Sequence, residues 1–548
     1  MCGILGTISP ASDPAILHTG TLSHRGPDAR GNTRVTLPWC TVSLGMTRLS
    51  IVDRRALTVP FRYHSGITLA LNGEVYNWRE LRAELSDGTP WETDCDAEVL
   101  ARAWERWGVH CLSRLNGMWA LALCDEARGL VFLARDRAGE KPLYYTWDDR
   151  GLHFASEAKA LPIVLQETAC PEVPVLEFDC LESTPFQGVH RLGPGEYILA
   201  THPCDLGNPV PVRWWELPVG ATDEGMTWDT AVDELQSLLA DAVRLRIPDG
   251  LAAAVLLSGG IDSAIVQAIA RSPNCYTVTF PDDGVDCMTD AQACSFGTAT
   301  RPVTFGLSDL HSALPDIAWH LDSPATWTAV AQWFIAQRIS QDGIRVWLSG
   351  EGADELFAGY SRHRALWYID QAHADPVLSA YGPVRRVAFG DDTDTLARLL
   401  DRSTTGTGHD HARWLVDWYG GIGTLVERMA RTEFHTTMQV LLRMADRMAA
   451  AFAIENRSPF LDYRIMELSA RMPVRHKVDG QYTKAVVREV ARRLGVPLQV
   501  TDSTTKRGLF LPWSQWCSGT SGARGKWDRS SFASLLAATW RAVFFDSR

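Results

Sequence analysis

Residues Ala253 to Ala270 read AAVLLSGGIDSAIVQAIA. An apolar run, Ala253 to Leu257, passes through the turn Ser258-Gly259-Gly260 into a helical run from Ser263 to Ala270. A near-continuous apolar strand feeding a helix through glycines is the βα unit of a parallel sheet covered on both faces. The turn offers backbone N–H groups and the positive end of a helix to an anion, and Ser258 and Ser263 add hydroxyls. The Gly-x-x-x-x-Gly-Lys-Ser/Thr spacing of a kinase-type phosphate loop is absent. Strand and turn recur at Arg345 to Leu348 and Ser349-Gly350-Glu351-Gly352, so this part of the chain is expected to be a doubly wound α/β domain.

Outward from that unit the pattern changes. Ala231 to Arg246 reads as a helix leading in, and beyond about residue 360 the chain is mostly helical, with amphipathic spacing from Thr437 to Ala453. Residues 1 to 200 instead carry short β runs, Ile67 to Leu71, Trp119 to Cys124 and Leu130 to Ala134, with one clear helix at Ala97 to Trp107. This predicts a layered α+β domain on antiparallel strands. Residues 201–228 collect Pro203, Pro209, Pro211, Pro218, Gly207 and Gly220 and read as a linker, 229–516 as the second domain, and 517–548 as an unassigned tail.

Composition narrows the function. The 548 residues are 46% apolar and 22% charged, the range of globular enzymes, and too long for one core. Lys and Arg total 53 against 65 acidic residues, a formal charge of −12 with no basic patch, which disfavours nucleic acid as a partner. No apolar run reaches the roughly 18 residues of a membrane span. Asp13, His18, His24, Arg25 and Asp28 occupy the place of a signal peptide's apolar block, so a cytoplasmic protein is expected. Twelve cysteines without a Cys-x-x-Cys pair suggest neither a disulfide scaffold nor a zinc ribbon, and eleven are read as buried thiols.

Cys2 is the exception. A small second residue favours removal of Met1, leaving a thiol and a free α-amine on one residue. An α-amine with a reference pKa of about 8 can take the thiol proton, so the residue is a self-contained nucleophile able to attack an amide. Cys2-Gly3-Ile4-Leu5-Gly6 is followed by Ser23-His24-Arg25-Gly26-Pro27-Asp28, Arg48-Leu49-Ser50-Ile51-Val52-Asp53, Asn72-Gly73-Glu74-Val75-Tyr76-Asn77 and Asp94-Cys95-Asp96-Ala97-Glu98. In this order the segments resemble the N-terminal-nucleophile glutaminase domain of the glutamine-dependent asparagine synthetases. The resemblance implies an oxyanion hole from the Asn72 side-chain amide and the Gly73 N–H. It implies Arg48 on the glutamine carboxylate, and Glu74 with Asp96 on its ammonium.

The second half is similar to the same family. Ser258-Gly259-Gly260-Ile261-Asp262-Ser263 resembles the pyrophosphate loop of enzymes that cut ATP between the α- and β-phosphates. Ser349-Gly350-Glu351-Gly352-Ala353-Asp354 and Glu455-Asn456-Arg457-Ser458-Pro459-Phe460-Leu461-Asp462 also match. For this half the resemblance implies ATP chemistry. Asp262 and Asp354 would hold Mg²⁺, Glu351 would steer or deprotonate the incoming amine, and Lys506 would stabilise charge on the α-phosphate. Leu256, Val278, Ser349 and Gly350 would line the nucleotide with the loop residues. Lys484 is open between a phosphate contact and a helix-surface lysine.

The expected activity is therefore glutamine hydrolysis at Cys2, passage of ammonia through a largely apolar conduit, and amidation of an adenylated carboxylate, aspartate to asparagine foremost. Its partners are small molecules, with a homodimer possible. Between Phe280 and Phe305 the chain departs from the family: it is shortened, has no histidine, and is followed by Trp327 close to the expected acceptor region. Those departures leave another carboxylic acid open as acceptor. An intramolecular amide-forming relative of the β-lactam synthetase or lasso-peptide cyclase type is disfavoured, because it needs no glutaminase nucleophile. A non-catalytic scaffold is disfavoured by the intact Asp262, Asp354, Glu351 and Lys506.

Overall fold

The computed structural model describes residues 1–10, 17–55, 58–167, 184–280, 287–323, 327–374, 422–504, 511–512 and 538–546. Among the described residues twelve strands build the N-terminal part: β1 (Gly3–Ser9), β2 (Ala29–Leu37), β3 (Cys40–Arg48), β4 (Phe61–Tyr63), β5 (Ile67–Val75), β6 (Gly117–Asp125), β7 (Leu130–Arg135), β8 (Tyr144–Asp148), β9 (Gly151–Ala155), β10 (His190–Arg191), β11 (Glu196–Ala200) and β12 (Val212–Arg213). They form two antiparallel six-stranded sheets, ordered β10-β8-β9-β1-β3-β2 and β12-β11-β7-β6-β5-β4. Alternating side chains fill the space between the sheets, where Ile4, Val42, Leu44 and Phe154 of the first meet Ala70, Ala122 and Leu133 of the second. Helices Trp78–Leu85 and Asp96–Trp107 cover the outer face of the second sheet through Leu81, Leu100 and Trp104.

The second half is an all-parallel sheet of β13 (Ala253–Leu256), β14 (Cys275–Val278), β15 (Thr300–Val303), β16 (Val346–Leu348) and β17 (Glu455–Arg457). Its order, β15-β14-β13-β16-β17, reverses direction between β13 and β16. A ligand crevice opens beyond the strand ends at such a switch point, and both Gly-containing turns lie there. Helices Trp228–Arg246, Ile261–Ala270 and Ala485–Arg493 cover one face, and Leu307–Leu321, Trp327–Gln341 and Thr437–Ala450 the other.

Three details differ from the sequence reading. The stretch 201–228 is not bare of sheet structure: Val212 pairs with Tyr197, and Trp214 stacks on Trp119 at 5.7 Å. Cys204 is exposed and Cys287 half-buried: the first lies on the short 3-10 helix Pro203–Leu206 and the second just ahead of the helix Met288–Ala293, outside any strand. In the tail, Trp540 and Phe544 return to the first sheet and pack on Phe186 at 5.7 and 5.4 Å. Among the described residues no helix is long and apolar enough to cross a membrane.

Candidate active sites

Cys2 lies at the head of β1, where the two antiparallel sheets meet. Its backbone N–H donates to Asn72 Oδ1 at 3.2 Å. That bond orients the Asn72 amide and leaves Nδ2 buried with no hydrogen-bond partner among the described residues. An orphaned buried donor costs about 1–3 kcal/mol, so its presence beside a nucleophile signals an absent acceptor. The next residue, Gly73, has φ +130°, and a Cβ there would fall 2.0 Å from the Met118 carbonyl oxygen. Only glycine fits.

The surrounding cavity is about 560 Å³ including its mouth, and Arg48, Leu49, Glu74, Cys95, Asp96 and Glu455 share its wall. Arg48 is pinned by three carbonyl oxygens, Arg55 at 3.2 Å, Val52 at 2.9 Å and Asp53 at 2.6 Å. Opposite it, Glu74, Asp96 and Glu455 present three buried carboxyls, with Arg457 paired to Glu74 and, at 2.9 Å, to Glu455. One guanidinium cannot neutralise three carboxylates. Burial, followed by the charges of Glu455 and Asp96, accordingly raises the Glu74 carboxyl against the pull of Arg457. Burial also raises Asp96, opposed by the Val75 N–H at 3.0 Å. The cavity wall therefore carries one guanidinium, Arg48, and three carboxyl groups, two of which burial draws toward their neutral forms. Burial raises the Cys2 thiol, while the N-terminal ammonium, the Leu49 N–H and Arg48 act to lower it.

At the parallel sheet, the loop after β13 is closed by its own serines. The Ser258 N–H donates to Ser263 Oγ at 3.2 Å, the Gly260 N–H to Ser258 Oγ at 3.3 Å, and Ser263 Oγ to the Gly260 carbonyl at 3.1 Å. Gly350 presses on the same loop: a Cβ there would stand 2.7 Å from Asp262 Cβ. Leu256 and Val278 are buried in the sheet beside it. Lys484 is not a surface lysine. It is 4% exposed, because φ +56° at the head of its helix turns the side chain inward. Its Nζ stands 2.6 Å from Asp262 Oδ2 and 2.8 Å from Asp354 Oδ1. Two carboxylates already converging on one cation suit a hard divalent ion once phosphates draw the ammonium away. A cleft of about 1050 Å³ including its mouth opens from this point, bounded also by Asp290, Tyr360, Arg362, Arg364 and Arg488.

Glu351 lies in the turn after β16 and faces the neighbouring strand β17. It accepts from Asn456 Nδ2 at 2.9 Å, Ser349 Oγ and Gln332 Nε2 at 3.2 Å, and Ser458 Oγ at 3.4 Å. Burial outweighs these four donors and holds its carboxyl at about 7, where a group can exchange protons near neutrality.

The structure thus gathers Cys2, Arg48, Gly73, Glu74 and Asp96 around one cavity with Asn72 behind Cys2, and Gly259, Gly260, Asp262, Asp354 and Lys484 around one cleft. Lys506 lies outside the described residues. Sequence reasoning assigned no role to Glu455, Arg457, Asp290 or Gln332. The signal for the first two was available: in a strand, residues two apart share a face, so Glu455 and Arg457 point one way and Asn456 and Ser458 the other.

Residues 234–533 match the asparagine synthase family, and residues 1–206 match the glutamine amidotransferase domain. A Mycobacterium tuberculosis protein named putative asparagine synthetase (glutamine-hydrolysing) is 29% identical, covering 94% of this chain and 88% of its own. A Penicillium rubens protein named amidase chyE is 30% identical, covering 91% and 84%. Among solved structures, glutamine phosphoribosylpyrophosphate amidotransferase from B. subtilis aligns at 14% identity and TM-score 0.29, covering 64% of this chain and 82% of that one.

Proposed function

Given that the chain belongs to the asparagine synthase family and is a glutamine-dependent, ATP-dependent amidotransferase ligase, we propose that it amidates the side-chain carboxylate of aspartate, releasing asparagine, AMP and pyrophosphate. The observation that carries the glutaminase half is the unpartnered Asn72 Nδ2 beside Cys2.

With Met1 removed, the Cys2 amine takes the thiol proton and the thiolate attacks the glutamine carboxamide. Asn72 Nδ2 and the Gly73 N–H receive the oxyanion, Arg48 holds the α-carboxylate, and the carboxyl cluster of Glu74 and Asp96 holds the α-ammonium. Ammonia leaves with the transferred proton, and water releases glutamate from the thioester. In the second site the acceptor carboxylate attacks the α-phosphorus, and the Ser258–Ser263 loop retains the departing pyrophosphate. Asp262 and Asp354 would hold Mg²⁺, which would supply charge neutralisation for the phosphates, and Lys484 is a further cation for them. Lys506 adds a cation at the α-phosphate. Ammonia attacks the acyl-adenylate carbonyl, Glu351 takes the excess proton, and AMP leaves.

A second acceptor reading has its own support. The relative named amidase spans nearly the whole chain, and the stretch from Phe280 to Phe305 is short and lacks histidine. The test is mass spectrometry on Met-processed protein with glutamine, ATP, Mg²⁺ and aspartate. Asparagine, AMP and pyrophosphate in equal amounts support the aspartate reading. Glutamate without asparagine or AMP rejects it in favour of another carboxylic acid.

A further inference from the structure

Met1 marks a site of its own. Its side chain is wholly buried and belongs to the apolar cluster of the parallel sheet, with Ala254, Leu256, Trp347 and Met448, although it opens the antiparallel half of the chain. Its amine stands 3.4 Å from Glu455 Oε2, and Arg25 Nη2 stands 3.4 Å from its sulfur. An amine has therefore been placed one residue beyond the nucleophile, against a carboxylate of the other domain. Glu455 is followed by Asn456, whose Nδ2 is 2.9 Å from Glu351 Oε2. Lys141 Nζ lies 3.5 Å from the Asn456 carbonyl oxygen and completes the surroundings with Arg25.

We propose that Glu455, on the wall of the Cys2 cavity and one residue before the Glu351 partner Asn456, is an ammonia-holding station on the way out of that cavity, in the space that Met1 fills before its excision. The proposal rests on the glutaminase reading and says what becomes of that reaction's product. Ammonia has three N–H donors and one lone pair, and the Glu455 carboxylate, bridged at 2.9 Å by the Arg457 guanidinium, accepts one of them. Arg25 and Lys141 oppose a further positive charge. The amine observed there is itself shifted below its ordinary value, by burial first and by these two cations, against Glu455 and Cys2. Burial and the same two cations push ammonia in these surroundings toward the unprotonated form, which keeps the lone pair it needs as a nucleophile. Met1 excision then has two effects: it frees the Cys2 amine and clears the station.

The experiment needs neither ATP nor acceptor, so an error about the acceptor leaves it intact. Met-processed protein is given unlabelled glutamine and increasing ¹⁵N-ammonium, and ¹⁵N-glutamine is measured against glutamate. The label enters when ammonia rather than water intercepts the thioester. A station makes this ratio saturate with ammonium. Glu455→Leu should lower it about tenfold and make it linear, whatever happens to the hydrolysis rate, while Glu455→Gln, which keeps an acceptor and the fold, should fall between. A linear ratio in the unsubstituted protein, or one unchanged in both variants, overturns the station. Absence of glutamate from the unsubstituted protein overturns the glutaminase reading, and the station with it.

Discussion

The cavity at Cys2 and the cleft at Asp262 are both lined by charged side chains, but they are prepared in different ways. Around Cys2, strand register places the groups. Asn72 and Glu74 flank Gly73 on β5, whose pairing with β6 continues through Asn72↔Ala120 and Glu74↔Met118. The donor for an oxyanion is already aimed and unpartnered. Around Asp262 the charges instead satisfy one another, with Lys484 clamped between two aspartates and the serines bonded within their own loop. A site built on paired strands keeps its geometry when empty, whereas a site built on loops after parallel strands holds its charges against each other until a polyanion separates them.

The difference can be broken in order of size. Cys2→Ala should remove glutamine-dependent synthesis by more than about 10³-fold while ammonia-supported synthesis persists, measured as product per minute from each nitrogen source. Equal losses from both would mean that the first cavity does more than generate ammonia. Asn72→Ala should cost the glutaminase about 10²-fold or more in kcat with a smaller change in KM, because its amide bonds the oxyanion and not the ground state. Lys484→Met should lower AMP formation about 10²-fold and leave glutamine hydrolysis untouched. If hydrolysis falls equally, the two regions are not separable as described.

The pH dependence sharpens the contrast. Glu351, held at about 7 by burial, acts as a base only when ionised, so synthesis should fall as pH drops through about 7. Glu351→Gln should abolish that limb. The sign for stability is opposite: the folded carboxyl binds its proton more tightly than an unfolded one near 4.5, so this group's contribution declines as pH rises from about 4.5 to 7. The smallest effect is at Glu74, whose raised carboxyl must ionise to hold an ammonium. Glu74→Gln should raise the glutamine KM about tenfold and flatten its rise at low pH, read from initial rates of glutamate release.

The two sites were unequally legible. The parallel sheet was readable because AAVLLSGGIDSAIVQAIA changes period within one short stretch, and the helix over Ile261–Ala270 forms there. The antiparallel half was readable as strands but not as two facing sheets, since alternation marks a buried face without naming what covers it. Lys484 could not be placed from its neighbours. A lysine ahead of an amphipathic helix normally points outward, and only the left-handed backbone at that residue turns it in. Asp290 belongs to the cleft because its backbone crosses Gly259, a contact between segments some thirty residues apart.

What the amino-acid order determined by itself was the chemistry available: a cysteine behind the initiator methionine, a glycine-rich anion loop, and carboxylates at the ends of strands. These are local properties, set by residue type, spacing and backbone preference. Tertiary structure alone decided which groups meet. It brought Arg457 to Glu74 across 383 positions and Met1 of the antiparallel half to Glu455 of the parallel sheet, and it put Asn456 of the same strand on Glu351. The physical reason is the strand itself: β17 pairs with β16 at the sheet edge, and alternate side chains leave it in opposite directions. One three-residue strand, β17, thus reaches both the Cys2 cavity and Glu351; its alternation could be read from the sequence, but what each side meets could not.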